Sequence, residues 1–437
     1  MTSSDNRTDS PARRLLVVSY GHPPSPGVGG TRWLSMTRHL RRLGHSVTMV
    51  ASDAWGALPD DEELDVVRVR DPKSAGTLRS LLGRGKLRQE GDQDLVEKPP
   101  GRVLTGVLVP EMTVATWLPQ AILAVRRLLT QSAYDCVITS SPPESSHLIG
   151  LFLGSERPAW VADFRDGWTF EPYRPRFPTG LQRRLDLSLE RRVVRSAEVV
   201  VGATKPIADD LSRRFGASAA CVPNGWDTHS ARHPTQAAAR PSEGRTTLVY
   251  TGKLSGEWGR DPAALMQALR AVSAETKERQ LRLVHAGPLT RDELAIIDRA
   301  GVTGLVEHLG ILDRASALEL QRSADALVLL TSRNSSEATG KLYEYLFSGR
   351  PIVALAENSE AARIVRETNT GITVPPDDVE AIAVALRRVV SGDLMREYAP
   401  RNLDGYEYPR PAEQMAELIE EAISRRQTRQ PTDRGPV

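Results

Sequence analysis

The sequence predicts an α/β protein made of two doubly wound, Rossmann-like domains that face each other across a cleft. Three observations lead to this prediction. At 437 residues the chain is long for a single hydrophobic core. In both halves, apolar runs of strand length alternate with amphipathic helical segments, a pattern typical of parallel sheets. The stretch 228–244 between the halves is rich in proline, alanine and charge, as domain linkers are.

The first predicted domain, residues 1–227, begins with a strand–loop–helix–strand unit. Residues 15–18 form a continuous apolar run, and a glycine-rich loop at 27–30 follows it. The next helix carries Trp33, Met36 and Leu40 on one face, and Gly44 is placed where a helix would end. The charged, glycine- and proline-rich segment 72–101 is predicted to be an exposed insertion. Further strands are predicted at 45–50, 136–139, 160–164, 198–202 and 220–223.

The second predicted domain, residues 245–404, repeats this alternation. Strands are predicted at 246–250, 282–285, 305–309, 326–330 and 352–355, and helices at 263–272 and 378–390. The remaining segment, 405–437, contains an amphipathic helix at 412–424 that we expect to cross back to the first domain. The tail from Gln427 is predicted to be disordered.

Composition and charge narrow the classes of function. The 57 Lys and Arg residues nearly balance the 55 Asp and Glu residues, and a net charge of +2 gives no basic footprint for nucleic acid. The arginines of the helix predicted at 181–195 fit a solvated face, with at most peripheral membrane contact. No apolar leader or membrane-length apolar run is evident. Cys136 and Cys221 are interpreted as two buried thiols, which suits a reducing cytoplasm. The protein is expected to be a monomer or a homodimer.

The stretch 335–353 carries the clearest sign of a ligand. An apolar strand at 326–330 leads through a polar turn into a short helix that starts near Thr339. The first backbone N–H groups of a helix that follows a strand form a site suited to phosphate. One turn further, the carboxylate of Glu344 is suited to accept hydrogen bonds from a ribose diol. Phosphate donors beside a diol acceptor indicate a nucleoside-diphosphate ligand.

The segment TGKLYEYLFSGRPIVAL, which starts at Thr339, resembles the donor-site segment of retaining GT-B glycosyltransferases of the family 4-like group. In that group, seven residues separate two glutamates of the donor site. Only six separate Glu337 from Glu344 here, so the strict spacing would place Ser336 at the first position. The resemblance implies that Glu344 binds the donor, and that Glu337 has the first glutamate's role if the turn before the helix shifts by one residue.

The resemblance covers almost the whole chain and assigns further residues. It implies that Lys253 and Arg260, near the first strand of the second domain, neutralise the leaving diphosphate and act with Glu337 as catalytic groups. On residues alone, two exposed loop cations are the alternative. The donor contacts that it implies lie at the glycine loop, at strand ends and at the start of the short helix: Gly29, Gly30, Lys253, Arg260, Gly310, Ile311, Thr339, Gly340, Lys341 and Glu344.

The motif DFRDGW at 163–168 follows a first-domain strand and resembles bacterial polysaccharide-type members of the same group. This resemblance places Asp166 at the acceptor as a further catalytic candidate, with Trp168 as an apolar platform for a sugar and Arg32 near the acceptor. The structural alternative is that Asp166 pairs with an arginine at the surface and that Trp168 belongs to the core.

The function that the resemblance implies is a retaining, metal-independent, hexosyltransferase-like enzyme that uses a UDP- or GDP-sugar as co-substrate and no cofactor. The acceptor is expected to be a glycan or a small hydroxyl, amine or thiol compound of bacterial polysaccharide or antibiotic biosynthesis. No DxD-type pair of carboxylates stands at a strand end, which favours metal independence. Two alternatives stay open: a nucleotide-sugar 2-epimerase with the same fold, and a non-catalytic protein that binds nucleotide sugars.

Overall fold

The computed structural model describes residues 11–24, 28–56, 64–72, 109–110, 116–171, 177–228, 244–255, 260–275, 281–334 and 336–429. Nearly all of the predicted insertion at 72–101 and of the predicted linker at 228–244 lies outside these ranges, as do residues 430–437. The described residues form two α/β units with parallel sheets, which confirms the predicted fold class.

The first unit is built on a seven-stranded parallel sheet with the order β3-β2-β1-β4-β5-β6-β7. Its strands are β1 (Arg14–Ser19), β2 (Ser46–Ser52), β3 (Val66–Val69), β4 (Cys136–Ser141), β5 (Ala159–Phe164), β6 (Val199–Gly202) and β7 (Ala219–Cys221). Its helices are α1 (Val28–Arg42), α2 (Leu118–Gln131), α3 (Ser146–Phe152), α4 (Gly180–Ser196) and α5 (Lys205–Phe215). Helix α1 packs on one face of the sheet, and α2 to α5 cover the other.

The second unit is built on a six-stranded parallel sheet with the order β10-β9-β8-β11-β12-β13. Its strands are β8 (Thr246–Thr251), β9 (Leu281–Ala286), β10 (Val306–His308), β11 (Ala326–Leu330), β12 (Ile352–Leu355) and β13 (Gly371–Val374). Its helices are α6 (Ala263–Glu275), α7 (Arg291–Arg299), α8 (Arg314–Ser323), α9 (Gly340–Leu346), α10 (Glu360–Thr368), α11 (Val379–Val390) and α12 (Asp393–Arg396). The central strands are fully buried, as expected for strands covered by helices on both faces.

The last helix, α13 (Arg410–Arg429), packs on the first unit rather than on the second. Its apolar face, which includes Met415 and Ile419, joins the core formed by Trp33 and Met36 of α1. The helix continues to Arg429, so the prediction that disorder begins at Gln427 is wrong for residues 427–429. The chain therefore crosses between the two units twice.

The two cysteines differ in environment. Cys136 is a buried free thiol, as predicted, whereas Cys221 is an exposed free thiol at the end of the short strand β7, which corrects the prediction that both are buried. In the part of the chain that the structure describes, no helix has both the length and the apolar character needed to cross a membrane.

Candidate functional site

A cavity of about 250 Å³ lies between the two units. In parallel sheets, ligand sites form beyond the carboxyl ends of the strands, and both sheets turn these ends toward the cavity. Its first-unit wall is formed by α1 and by the segment 224–227, and its second-unit wall by α9 and Arg314. The cavity therefore has the place and the two-sided lining expected of a substrate cleft.

Lys341, in the first turn of α9, is the most unusual side chain in this cleft. Its ammonium nitrogen donates a hydrogen bond to the Tyr250 hydroxyl over 2.8 Å and lies 4.0 Å from the centre of the Tyr250 ring. Burial, reinforced by the positive charge of Arg260 and opposed by the negative charges of Glu337 and Glu344, lowers the pKa of Lys341 to about 7. A buried ammonium beside another cation is suited to gain an anionic partner.

Arg260 supplies the second positive charge of this group. It hydrogen-bonds to the Tyr250 hydroxyl, and its buried Nε atom has no protein partner among the described residues. Burial raises the pKa of Glu337, whereas the charges of Arg260 and Lys341 lower it. Two cations and one carboxylate therefore converge beyond the end of β8, and the sum of their charges is positive when Lys341 is protonated.

Lys253 was expected to stand beside Arg260, and the structure corrects this expectation. The Lys253 side chain is exposed and lines neither the interdomain cavity nor the adjoining cavity in the second unit. Only its backbone carbonyl takes part, as the acceptor of a 2.6 Å hydrogen bond from the Tyr250 hydroxyl. The lysine that lies beside Arg260 is Lys341, which comes from a different strand–helix connection.

Glu344 lies one turn further along α9 and lines both cavities. Its Oε1 atom is 3.3 Å from an Arg314 nitrogen, and its Oε2 atom accepts a 3.2 Å hydrogen bond from the Gln321 amide. These two partners fix the carboxylate at the opening between the cavities, so Glu344 is not an ordinary solvated helix residue. Sequence reasoning identified Glu344 and missed both partners, which belong to α8.

The adjoining cavity, of about 270 Å³, is lined by residues at the ends of β8 and β9, among them Gly252 and Gly287, and by Ile311. Gly287 donates its N–H to the Gly310 carbonyl over 2.8 Å. A Cβ atom at Gly287 would lie 2.4 Å from the Gly252 carbonyl oxygen, so only glycine fits there. Ile311 borders this space, as predicted, and is 60 % exposed. A cavity that glycines and the apolar side chain of Ile311 border is suited to a nucleobase.

The residues at the start of α9 adopt the predicted strand–turn–helix arrangement. The helix begins at Gly340, and Thr339 precedes it as the N-cap without a capping bond from its side chain. The Thr339 Oγ1 atom is buried and has no hydrogen-bond partner in the described structure. Gly340 lines the interdomain cavity. Both residues are therefore available to a ligand in the cleft.

On the first-unit side, Asp166 follows β5. Burial raises the pKa of Asp166 to about 7; Arg165 opposes this rise, and the negative charges of Glu144, Glu337 and Glu171 add to it. Ser336 Oγ of the second unit donates a hydrogen bond to Glu171 Oε2 across the cleft. The other oxygen, Glu171 Oε1, is buried and has no partner among the described residues. Sequence reasoning missed Glu171, because its partner is 165 residues away in the chain.

Arg32, which was predicted to contact the acceptor, lines the interdomain cavity and also has a structural role. Its side chain is fully buried in an ion pair with Asp163, 3.0 Å between Nη2 and Oδ1. The same guanidinium donates to the carbonyl oxygens of Val222 and Pro223 over 3.1 and 2.9 Å. Arg32 therefore fastens the segment that leaves the first unit to the end of β5.

The prediction that Trp168 forms a platform for a sugar is wrong. Trp168 is 0 % exposed, packs beside Phe164 and His147, and donates its indole N–H to Asp186 over 2.8 Å. A side chain with no accessible surface offers no platform to a sugar, so the core alternative holds. Arg165 holds the neighbouring loop by donating to the Ser141 and Pro142 carbonyl oxygens, each over 2.6 Å.

The glycine-rich stretch that was predicted as a loop is helical from Val28, the first residue of α1, so Gly29 and Gly30 lie in its first turn. A Cβ atom at Gly30 would lie 3.0 Å from the Pro23 ring, which explains the small residue on packing grounds. The next residues, Thr31 and Arg32, line the interdomain cavity. Within the described ranges, no three His, Cys, Asp or Glu side chains are grouped so as to hold a metal ion.

Both units of the chain are similar to known protein families. The family description "Glycosyl transferase 4-like domain" matches residues 27–225, and "Glycosyl transferases group 1" matches residues 245–392. The phosphatidyl-myo-inositol mannosyltransferase of Mycobacterium leprae is 32 % identical over 283 residues, which are 62 % of this chain and 68 % of the relative.

Solved structures show the same architecture. A glycosyltransferase from Rickettsia africae ESF-5 has a TM-score of 0.61 and 12 % identity, covering 95 % of this chain and 99 % of that one. A UDP-GlcNAc 2-epimerase from Methanocaldococcus jannaschii has a TM-score of 0.54 and 10 % identity, covering 93 % and 99 %. At these identities the similarity concerns the fold alone, and transferases share that fold with epimerases.

Proposed function

The chain belongs to the GT-B glycosyltransferases of the family 4-like group, and from that premise we propose that it is a retaining hexosyltransferase. Its donor is a UDP- or GDP-sugar. A hexosyl donor is supported by the name of the M. leprae relative, a mannosyltransferase. The observation that carries the proposal is the position of Lys341 and Glu344, which both line the interdomain cavity and the adjoining cavity, with the charge of Arg260 close enough to lower the pKa of Lys341.

The proposed donor fills both cavities. The base occupies the adjoining cavity near Gly287 and Ile311, and the ribose hydroxyls donate to Glu344. The diphosphate then lies against Lys341 and Arg260. The Nε atom of Arg260 has no hydrogen-bond partner among the described residues, and it suits a phosphate oxygen. The sugar extends into the cleft toward the first unit.

In the proposed reaction, the acceptor attacks the anomeric carbon from the face that the diphosphate leaves. The bond from that carbon to the phosphate oxygen breaks as the bond to the acceptor forms, and the acceptor's proton passes to the departing phosphate. Charge grows on the diphosphate in the transition state, so Lys341 and Arg260 stabilise the transition state more than the bound donor. No metal is needed for this stabilisation, since the two side chains supply the positive charge.

The acceptor side of the cleft is acidic in the proposal. Asp166 and Glu171 contribute carboxylates with raised pKa values, and Glu171 Oε1 has no partner among the described residues. Such groups suit an acceptor that offers hydroxyl or amine protons, as in polysaccharide or antibiotic assembly. We place the reaction in the cytoplasm, an expectation that the buried, unbridged Cys136 supports.

Incubation with the donor alone tests the proposal. With UDP-glucose or GDP-mannose and no acceptor, a retaining transferase is expected to release hexose slowly, and proton NMR should show first the anomer that the donor carried. An epimerised nucleotide sugar would instead support the 2-epimerase alternative. Thermal stabilisation by UDP or GDP without any turnover, even with a panel of amine and hydroxyl acceptors, would favour the non-catalytic alternative.

Donor affinity should depend on pH through Lys341. Because its pKa is about 7 in the free protein, the ammonium is mostly charged below pH 7 and mostly neutral above pH 8. A bound diphosphate favours the charged form, so binding above pH 7 must take up a proton. We expect the affinity for UDP or GDP to fall as pH rises from 7 to 9, by up to about tenfold per unit.

Isothermal titration calorimetry at pH 6, 7, 8 and 9 measures this dependence. The nucleotide's own terminal phosphate ionises near pH 6, so its charge barely changes over the upper part of the range. Lys341→Met should bind weakly with an affinity that is flat over the upper range, which makes it the matched control. A wild-type affinity that stays constant from pH 7 to 9 would show that Lys341 does not meet the phosphate.

A further inference from the structure

Helices α2, α3 and α4 present an outer surface with unusual apolar exposure. Leu123 of α2, Phe152 of α3, and Leu181 and Leu185 of α4 are between 50 % and 78 % exposed. They are four of the nine large apolar side chains that are exposed in the described part of the chain. Helix α3 contacts both α2 and α4, and Arg126 of α2 donates to the Phe152 carbonyl over 2.8 Å. The four side chains thus share one layer of the first unit.

The same surface is cationic. Its exposed arginines lie on α2 and α4: Arg126, Arg127, Arg183, Arg184, Arg191, Arg192 and Arg195. None of them forms an ion pair with a carboxylate of the described residues. The sequences of α2 and α3 contain no acidic residue. The two acidic residues of α4, Asp186 and Glu190, point inward to Trp168 and Arg214. This surface is therefore locally basic, although the whole chain has a net charge of only +2.

Leucine and arginine side chains lie together along one face of α4. Leu181, Arg184, Leu185, Arg192 and Arg195 follow the three- and four-residue intervals that align side chains on a helix. A nucleic acid would engage such arginines through its phosphates and leave the leucines in water. An anionic bilayer engages both, because apolar side chains enter the acyl boundary while arginines meet the lipid phosphates.

We propose that the outer surface of α2, α3 and α4 docks the protein reversibly on anionic phospholipid membranes, with these helices lying along the bilayer. Leu181 and Leu185 insert at the level of the headgroups, and the arginines hold the lipid phosphates. The surface is separate from the cleft, so docking is a property of the protein in addition to sugar transfer. It does not depend on which sugar or acceptor the cleft takes.

Sedimentation with vesicles tests this proposal on the full-length protein. Wild type is expected to sediment with phosphatidylcholine vesicles that contain 30 mol% phosphatidylglycerol, and to stay in solution with pure phosphatidylcholine. The double variant Leu181→Asp/Leu185→Asp should lose at least tenfold in vesicle affinity. The variant Arg184→Glu/Arg192→Glu should lose a similar factor, and raised salt should weaken wild-type binding. All of these side chains are exposed, so each variant should keep the wild-type unfolding temperature.

Leu294→Asp is the matched control. Leu294 is exposed on α7 of the second unit, away from the proposed surface, and its substitution should leave sedimentation unchanged. The proposal is overturned if wild type fails to sediment with the anionic vesicles, or if Leu294→Asp loses as much binding as the α4 variants. It is also overturned if the leucine variant binds vesicles like wild type while single-stranded RNA competes fully, since that result would indicate a general polyanion surface.

Discussion

Replacing Lys341 with methionine is expected to lower kcat/KM for the nucleotide-sugar donor by about 10²–10³, the range found when one transition-state charge stabiliser is removed. Methionine keeps most of the length and apolar contact of the side chain, so the change removes the ammonium and little else. The loss should appear mainly in kcat, because negative charge on the diphosphate grows as the glycosidic bond breaks. Steady-state kinetics with a matched donor and acceptor measure both parameters.

The variant Lys253→Met is the matched control for Lys341→Met. Lys253 follows the end of β8 directly, but its side chain is exposed and lines neither cavity. We expect this variant to keep kcat/KM within about threefold of wild type, as an exposed cation contributes little. If Lys253→Met loses more activity than Lys341→Met, then the donor draws Lys253 into the cleft and the assignment made here is wrong.

The Lys341→Met substitution should not lower the stability of the fold. Burial lowers the pKa of Lys341 from its usual value to about 7, so at pH 8 folding leaves this amine mostly neutral in an unfavourable place. Methionine avoids that cost, and the unfolding temperature of Lys341→Met at pH 8 should equal or exceed that of wild type. Activity lost while stability is kept would place the ammonium in the reaction rather than in the architecture.

Local patterns in the sequence were enough to predict the two sheets and most of their long elements. The helix with Trp33, Met36 and Leu40 on one face forms as α1, because a buried face of that spacing fits only a helix. Strands with a weak sequence pattern were not predicted. Strands β3 and β13 were not predicted, since they are short and mostly half-buried and so lack a clear alternation. Edge strands are defined more by the neighbour that they pair with than by their own residues.

The site was harder to predict, because its contacts join distant parts of the chain. Glu344 was found from local sequence, but its partners Arg314 and Gln321 belong to another helix. A position at a strand end does not tell which way a side chain points. The sequence made Lys253 a catalytic candidate and Lys341 a donor contact only, whereas Lys341 lines the cleft and the Lys253 side chain is exposed. The DFRDGW motif likewise gave no sign that Trp168 turns into the core, and the role of Asp166 stays a prediction.

The largest expected effect on stability comes from Arg32. Its ion pair with Asp163 is fully buried, and Asp163 also accepts hydrogen bonds from the Trp33 indole and the Ser140 hydroxyl. Burial alone would lower the pKa of Arg32, but the carboxylate of Asp163 more than compensates and the net shift is upward. Arg32→Met would leave that carboxylate buried without its cation, which costs about 3–5 kcal/mol.

Differential scanning calorimetry should therefore show the unfolding transition of the first unit falling by on the order of 10 °C in Arg32→Met. Arg42→Met is the matched control, because Arg42 ends the same helix and is exposed, and it should leave the transition in place. Adding Asp163→Asn to Arg32→Met should recover part of the loss, since the unpaired charge is then removed. An acceptor-binding Arg32 would behave differently: its loss would raise the KM for the acceptor while the transition temperature stayed unchanged.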